Sequence, residues 1–191
     1  MSSLTMMPMS LEEIAQAVQG QLVAGTAAAN TPVATSAFTD SRQIVEGSVF
    51  IAIAGERVDG HDYVPHVGAQ GAVAAIVDHE IADADVPQIV VEDTVLALGL
   101  LAKHNIERRR ALGTPFTVVG ITGSVGKTTT KDLMKALLSH MGSTVAPVGS
   151  FNNEIGLPLT SLKVNAETRF LVAEMGANHV GEIANLTSLV P

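Results

Sequence analysis

Gly120-Ile121-Thr122-Gly123-Ser124-Val125-Gly126-Lys127-Thr128-Thr129 is the stretch on which the reading of this chain turns. The apolar run Thr117-Val118-Val119-Gly120-Ile121 leads into it, and a helical pattern from Lys127 to His140 leaves it. A glycine-rich turn between a strand and a helix is the setting of a P-loop. Glycines let the backbone fold tightly, so that successive N–H groups point at phosphate oxygens, and the helix N-terminus adds a partial positive charge. Lys127 is expected to reach the β- and γ-phosphates of ATP, and the Thr128 hydroxyl to hold Mg²⁺. The expected nucleotide-binding residues are therefore Gly123, Ser124, Val125, Gly126, Lys127, Thr128 and Thr129. The spacing is a variant, because the strict pattern has its first glycine where this chain has Ile121. A strand-to-helix turn without nucleotide is the plainer alternative; Gly-Lys-Thr at a helix start argues against it.

Downstream of the loop, Thr144 to Val148 reads as a strand, Pro158 to Lys163 as helical, Arg169 to Met175 as a strand and Val180 to Leu189 as a helix. Upstream, Ser10 and Glu13 have the capping-box spacing ahead of a helical run from Leu11 to Val18, with Gly20 as its stop. Val49 to Ile53, Ala72 to Val77 and Gln88 to Val91 are short continuous apolar runs, as expected of strands buried on both faces. Helical segments are expected at roughly Tyr63 to Gln70 and from Val95 to Arg109, the latter with arginines at its end that suit the helix dipole. Strand and helix alternate throughout, which indicates an α/β fold. Leu112-Gly113-Thr114-Pro115 interrupts the alternation. The expected organisation is an N-terminal α/β domain over 1–113 and the start of a P-loop domain over 114–191.

Composition narrows the classes. Hydrophobic residues make up 47% of the 191 residues, enough for a sizeable core. A formal charge of −8 argues against a nucleic-acid partner, which would call for a basic face. There is no cysteine, so disulfides and thiolate metal sites are excluded. Residues 1–10 lack the basic and apolar regions of a signal peptide, and no run approaches about 18 apolar residues, so a cytoplasmic protein without a membrane span is expected. No guanine-reading Asn-Lys-x-Asp follows the loop, which counts against a GTPase.

Several further segments accompany the loop. They are Thr39-Asp40-Ser41-Arg42, Gly55-Glu56-Arg57-Val58-Asp59-Gly60-His61-Asp62, Ser150-Phe151-Asn152-Asn153-Glu154-Ile155-Gly156-Leu157-Pro158 and Glu174-Met175-Gly176-Ala177-Asn178-His179-Val180-Gly181-Glu182-Ile183. With Gly-Ile-Thr-Gly-Ser-Val-Gly-Lys-Thr-Thr-Thr-Lys, they resemble the Mur ligases over nearly the whole chain. Within that family the likeness is to the branch that joins D-alanyl-D-alanine to UDP-N-acetylmuramoyl-tripeptide. The resemblance implies an ATP- and Mg²⁺-dependent ligase of peptidoglycan synthesis. A peptide carboxylate takes the γ-phosphoryl group to form an acyl phosphate, and the amine of D-alanyl-D-alanine then attacks it.

The resemblance also implies roles. Glu174 ends a predicted strand, the edge at which open α/β sheets bind ligands, and the matching family acid helps hold Mg²⁺. With Lys127 and His179 it makes up the expected catalytic set. Asn152 and Asn153 would lie near phosphate or metal, although on residue type alone they also suit a turn and a helix cap. Asn178 and His179 would lie near substrate or metal, although a loop histidine is commonly just solvated. Asp40, Ser41 and Arg42 would bind the UDP end of the precursor, with Arg57 and His61 as further candidates; a turn with a solvated arginine is the plainer alternative. Val125 departs from the family, where a polar residue is usual. Too few residues follow Lys127 for the about four to six strands of an open α/β nucleotide domain, so the reading expects a catalytically incomplete fragment. The alternative to an enzyme is a non-catalytic module that binds UDP-linked precursors or phosphate.

Overall fold

The computed structural model describes residues 5–23, 33–149, 151–177 and 180–190. Its contacts divide the chain into two compact units. One is Pro8–Leu101; the other runs from Ala102 onward and includes the segment that ends at Met7.

In the first unit the elements are β1 (Met9–Ser10), α1 (Leu11–Ala17), β2 (Gln21–Val23), β3 (Val33–Ala34), β4 (Ser36–Phe38), β5 (Ser48–Ile51), β6 (Ala72–Val77), β7 (Gln88–Val90) and the start of α2 (Thr94–Ala111). The Ser10 side chain accepts a bond from the Glu13 N–H at 3.2 Å, which stops the open end of α1. Five strands form one sheet in the order β2-β7-β6-β5-β4. All neighbours in it are parallel except β2, which runs antiparallel to β7. Phe50, Ala75 and Val77 face a cluster that includes Val64 and Val67. Residues of the other parity, Val49, Ile51, Ala74 and Ile76, are also fully buried. Both faces of the sheet are thus covered, which explains why its strands read as continuous apolar runs.

The expected helix from Tyr63 to Gln70 is instead two short 3₁₀ segments, Gly60–His66 and Gly68–Gln70. Pro65 lies inside the first and cannot donate to an α-helical ladder. Its apolar side chains still reach the core, because 3₁₀ spacing puts Val64 and Val67 on one side.

The second unit contains β8 (Thr117–Ile121), α3 (Lys127–Ser139), β9 (Thr144–Val145), α4 (Gly156–Ser161), β10 (Phe170–Glu174) and α5 (Glu182–Ser188). Its sheet is parallel, in the order β8-β10-β9. Alternation along β10 sorts the core into two layers. Phe170 and Val172 meet Leu138 and Met134 of α3, whereas Leu171 and Ala173 meet Ile106 of α2, Leu157 of α4 and Leu186 of α5. Burying a side chain such as Leu171 contributes about 1.5–3 kcal/mol. β9 is shorter than expected and ends at Val145, ahead of Pro147.

The alternating α/β organisation expected from the sequence is therefore the one observed. The expected interruption at Gly113 follows α2, whereas the contacts divide the chain within that helix. The residues beyond Leu101 explain this. The buried Asn105 accepts the Met7 N–H at 2.9 Å and donates to the carbonyls of Ser161 and Val164 at 3.0 and 2.9 Å. Arg109 turns inward instead of serving only the helix end. It donates to the Thr168 carbonyl at 2.9 Å and holds Thr114 and Pro115, and burial pushes its guanidinium below the ordinary value.

Candidate functional site

β8 delivers the chain to the loop and α3 takes it away. Gly126 is the last residue before α3 and has φ +79°, a left-handed conformation that disfavours any residue with a Cβ. In any α-helix the first N–H groups face its N-terminal end, which for α3 is the end that meets the loop. The Lys127 ammonium folds across it and donates to the Gly123 carbonyl at 2.8 Å. Val125 sits at the apex with its side chain 90% exposed, so a missing polar group there changes nothing inside the loop.

Beside the loop lies Glu174, at the C-terminal end of β10 and fully buried. Its Oε1 accepts from the Thr128 hydroxyl at 3.3 Å and from Asn152 Nδ2 at 3.0 Å. Its Oε2 is buried without a hydrogen-bond partner. A buried carboxylate oxygen left alone costs several kcal/mol on an order-of-magnitude scale. An oxygen in that state, beside a threonine hydroxyl at a helix start, has the hard-donor chemistry that Mg²⁺ selects. Ser124 through Thr129, with Asn152 and Glu174, line a cavity of about 240 Å³. A neighbouring cavity of about 340 Å³ shares Lys127 and Asn152 and extends to Asn153, Glu182 and Asn185.

Asn152 and Asn153 divide their work. Asn152 reaches Glu174 through its side chain, and its carbonyl accepts from the Gly176 N–H at 2.9 Å. A Cβ on Gly176 would come within 2.8 Å of the Asn152 amide, so a side chain there would displace the group that bonds Glu174. Asn153 accepts the Gly156 N–H at 2.9 Å and thereby opens α4, the capping role its residue type suggests, while it also lines the larger cavity. Asn178 and His179 lie outside the described residues.

In the other unit, Asp40, Ser41 and Arg42 line a cleft of about 460 Å³ with Tyr63 and Val58. Asp40 grips Arg42 with both oxygens, accepting from Nε at 2.9 Å and from Nη2 at 2.7 Å. These bonds hold the Asp40 carboxyl below its ordinary range and raise the Arg42 guanidinium. The bidentate pair leaves the other N–H groups of an exposed guanidinium for a ligand. Arg57 is exposed and does not line this cleft. His61 is buried and its ring is taken up locally. Its Nδ1 lies 2.6 Å from Asp59, and its Nε2 accepts the Asp78 N–H at 3.2 Å. The His61 bonds hold the Asp59 carboxyl below its ordinary range.

One group near the site was not anticipated from the sequence. Lys131 is buried in α3, with its ammonium bonded to loop carbonyls. The signal was present in the spacing. Positions 131, 134 and 138 share one helix face, and Met134 and Leu138 are its apolar members.

Known proteins supply the remaining observation. Residues 33–106 match the family model for the Mur ligase family catalytic domain, and residues 121–191 match that for the Mur ligase middle domain. The chain belongs to the Mur ligase family. It is 43% identical over 151 residues to the UDP-N-acetylmuramoyl-tripeptide--D-alanyl-D-alanine ligase of Escherichia coli, a match over 79% of this chain and 32% of that protein. A crystal structure of MurF from Acinetobacter baumannii superposes with a TM-score of 0.83 at 37% identity, covering 97% of this chain and 39% of that one. The MurF ligase of Thermotoga maritima in complex with ADP superposes with a TM-score of 0.68 at 37% identity, over 81% of this chain and 35% of its own. This Mur ligase chain thus spans roughly a third to two fifths of the length of the relatives it matches. Among its described residues no helix is long and apolar enough to cross a membrane.

Proposed function

We propose that this chain forms the precursor-binding and nucleotide-binding parts of a cytoplasmic ligase that joins D-alanyl-D-alanine to UDP-N-acetylmuramoyl-tripeptide. The observation that carries the reading is the buried, half-satisfied carboxylate of Glu174 against Thr128 at the mouth of the P-loop. A solved relative that holds ADP supports a nucleotide here.

In this reading residues 1–113 hold the UDP end of the precursor, with Asp40 presenting Arg42 to the diphosphate. Arg57 and His61 are the weaker members of that set, because neither reaches the cleft. Residues 114–191 hold ATP and Mg²⁺. The loop N–H groups and Lys127 bind and neutralise the phosphates, and Thr128 and Glu174 supply oxygen ligands to the cation. ATP supplies the phosphoryl group that activates the peptide carboxylate for attack by the D-alanyl-D-alanine amine, with ADP and phosphate leaving. Asn152 orients Glu174, and the family resemblance alone makes Asn178 and His179 candidates for contact with substrate or metal, with His179 in the catalytic set.

Calorimetric titration with ADP, with and without Mg²⁺, tests the nucleotide assignment. Wild-type chain should bind ADP more tightly with Mg²⁺, and Lys127→Ala should weaken binding at least about tenfold, equal to about 1.4 kcal/mol. Equal binding by both proteins would remove the basis for the assignment. Binding of the UDP precursor without any nucleotide binding would favour the non-catalytic module instead.

A further inference from the structure

We infer that Lys131 is a positioning residue for the cation end of the nucleotide site, an inference that rests on the nucleotide reading above. Lys131 stands one helical turn after Lys127, on the face of α3 that meets the sheet. Its side chain is 2% exposed, and it does not line either cavity of the site. Its ammonium donates to the carbonyls of Pro147 and Gly149 at 3.1 and 3.0 Å and lies 2.9 Å from Asp132 Oδ1. An ammonium has three donors, and here all three have partners.

The placement has a direction. The two carbonyls belong to the segment that follows β9 and leads to Asn152. Asn152 in turn bonds Glu174 Oε1 and accepts the Gly176 N–H. The first turn of α3 supplies Thr128 to the same Glu174 oxygen. Lys131 therefore joins the helix that carries one partner of Glu174 to the segment that carries the other. Its action runs through backbone carbonyls and Asn152, with no contact to a ligand.

Stability alone does not call for a charge at this position. A lysine in an apolar stripe has to be desolvated, and an apolar residue of similar volume in such a place is often neutral or stabilising. What methionine cannot do is bond two carbonyls. The lysine is explained by the hold it has on the carbonyls of Pro147 and Gly149, ahead of Asn152 in the chain.

The test is ADP titration of the 191-residue chain with and without Mg²⁺, using wild type, Lys131→Met and Lys131→Gln. Lys131→Met should keep its circular dichroism spectrum and its metal-free ADP affinity within about twofold. It should lose about tenfold of the Mg²⁺-dependent gain, and amides 151–153 should exchange hydrogen faster. Lys131→Gln keeps an amide donor but is too short to reach both carbonyls, so its loss should be intermediate. A wild-type Mg²⁺ gain in both variants would overturn the assignment and leave the nucleotide site standing. Loss of the fold in both variants would overturn it too, because Lys131 would then be a structural residue. Wild-type chain that binds no ADP would overturn the nucleotide reading and this inference together.

Discussion

At the residue scale the site depends on a few charged groups whose neighbours fix their state. Glu174 has one oxygen bonded and one without a partner. Glu174→Gln keeps the shape and removes the charge, so the Mg²⁺-dependent gain in ADP affinity should fall by at least about tenfold, or about 1.4 kcal/mol. Titration of Mg²⁺ at fixed ADP checks this, and an unchanged gain would remove Glu174 from the cation site. Asp40 and Arg42 make a second such unit. Arg42 lowers the Asp40 pKa, so the pair is intact above the ordinary carboxylate range and is lost as pH falls through the lowered value. Affinity for a uridine diphosphate ligand should therefore stay flat from neutral pH down to that range and drop below it. Arg42→Ala should weaken binding at every pH. Asp40→Asn should weaken it at neutral pH and abolish the acid-side fall; an acid-side fall that survives in Asp40→Asn would assign the titration to another group. Most of these residues were legible in the sequence because their chemistry is tied to short motifs. The fate of His61 was not, because the aspartates that engage it arrive from the turn before it and from the far end of β6. Lys131 was missed for the opposite reason: lysine ordinarily reads as surface, and only its neighbours on the helix face betray its burial.

At the scale of elements, continuous apolar runs gave the buried strands and periodic ones the helices, because both signals depend on local side-chain placement. The helix expected from Tyr63 to Gln70 is two 3₁₀ segments because Pro65 and Gly68 break the α pattern without removing the apolar spacing. The inward turn of Arg109 was hidden as well, because its partners Thr168 and Thr114 lie on either side of β8 in sequence. Two element-scale changes should have large effects. Asn105→Ala leaves the Met7 N–H and the Val164 carbonyl without the Asn105 bond that satisfies each, and takes one of two donors from the Ser161 carbonyl, which keeps the Val164 N–H at 3.1 Å. Unsatisfied groups of this kind cost about 1–3 kcal/mol each when nothing replaces the bond. Partial relaxation brings the expected loss to about 2–4 kcal/mol, measurable as a lower denaturant midpoint. A change under about 0.5 kcal/mol would mean that water takes over all three bonds. Gly126→Ala places a Cβ at φ +79°, a strain of about 1–2 kcal/mol. The loop is expected to shift to relieve it, so ADP affinity should fall more than thermal stability does.

At the scale of the whole molecule the governing fact is proportion, since the chain covers 39% of the Acinetobacter baumannii MurF it superposes on. Acyl transfer needs the attacking amine and the activated carboxylate held about 3–3.5 Å apart. In the proposed reading the cleft at Asp40 to Arg42 takes the diphosphate and the cavity at the phosphate loop takes the nucleotide, and neither is assigned the groups that hold the amine. The 191-residue polypeptide should therefore bind ADP yet form product at least about a hundredfold more slowly than a longer relative, a loss of about 2.7 kcal/mol in transition-state stabilisation. Turnover matching the longer enzyme would show that these residues suffice. The exposed apex of the phosphate loop has a practical consequence. The polypeptide contains no cysteine, so Val125→Cys would carry its sole thiol, at a position that is 90% exposed on the rim of the nucleotide cavity. A maleimide-linked fluorophore attached there would turn nucleotide arrival into an optical signal, readable in real time without radiolabel or coupling enzyme.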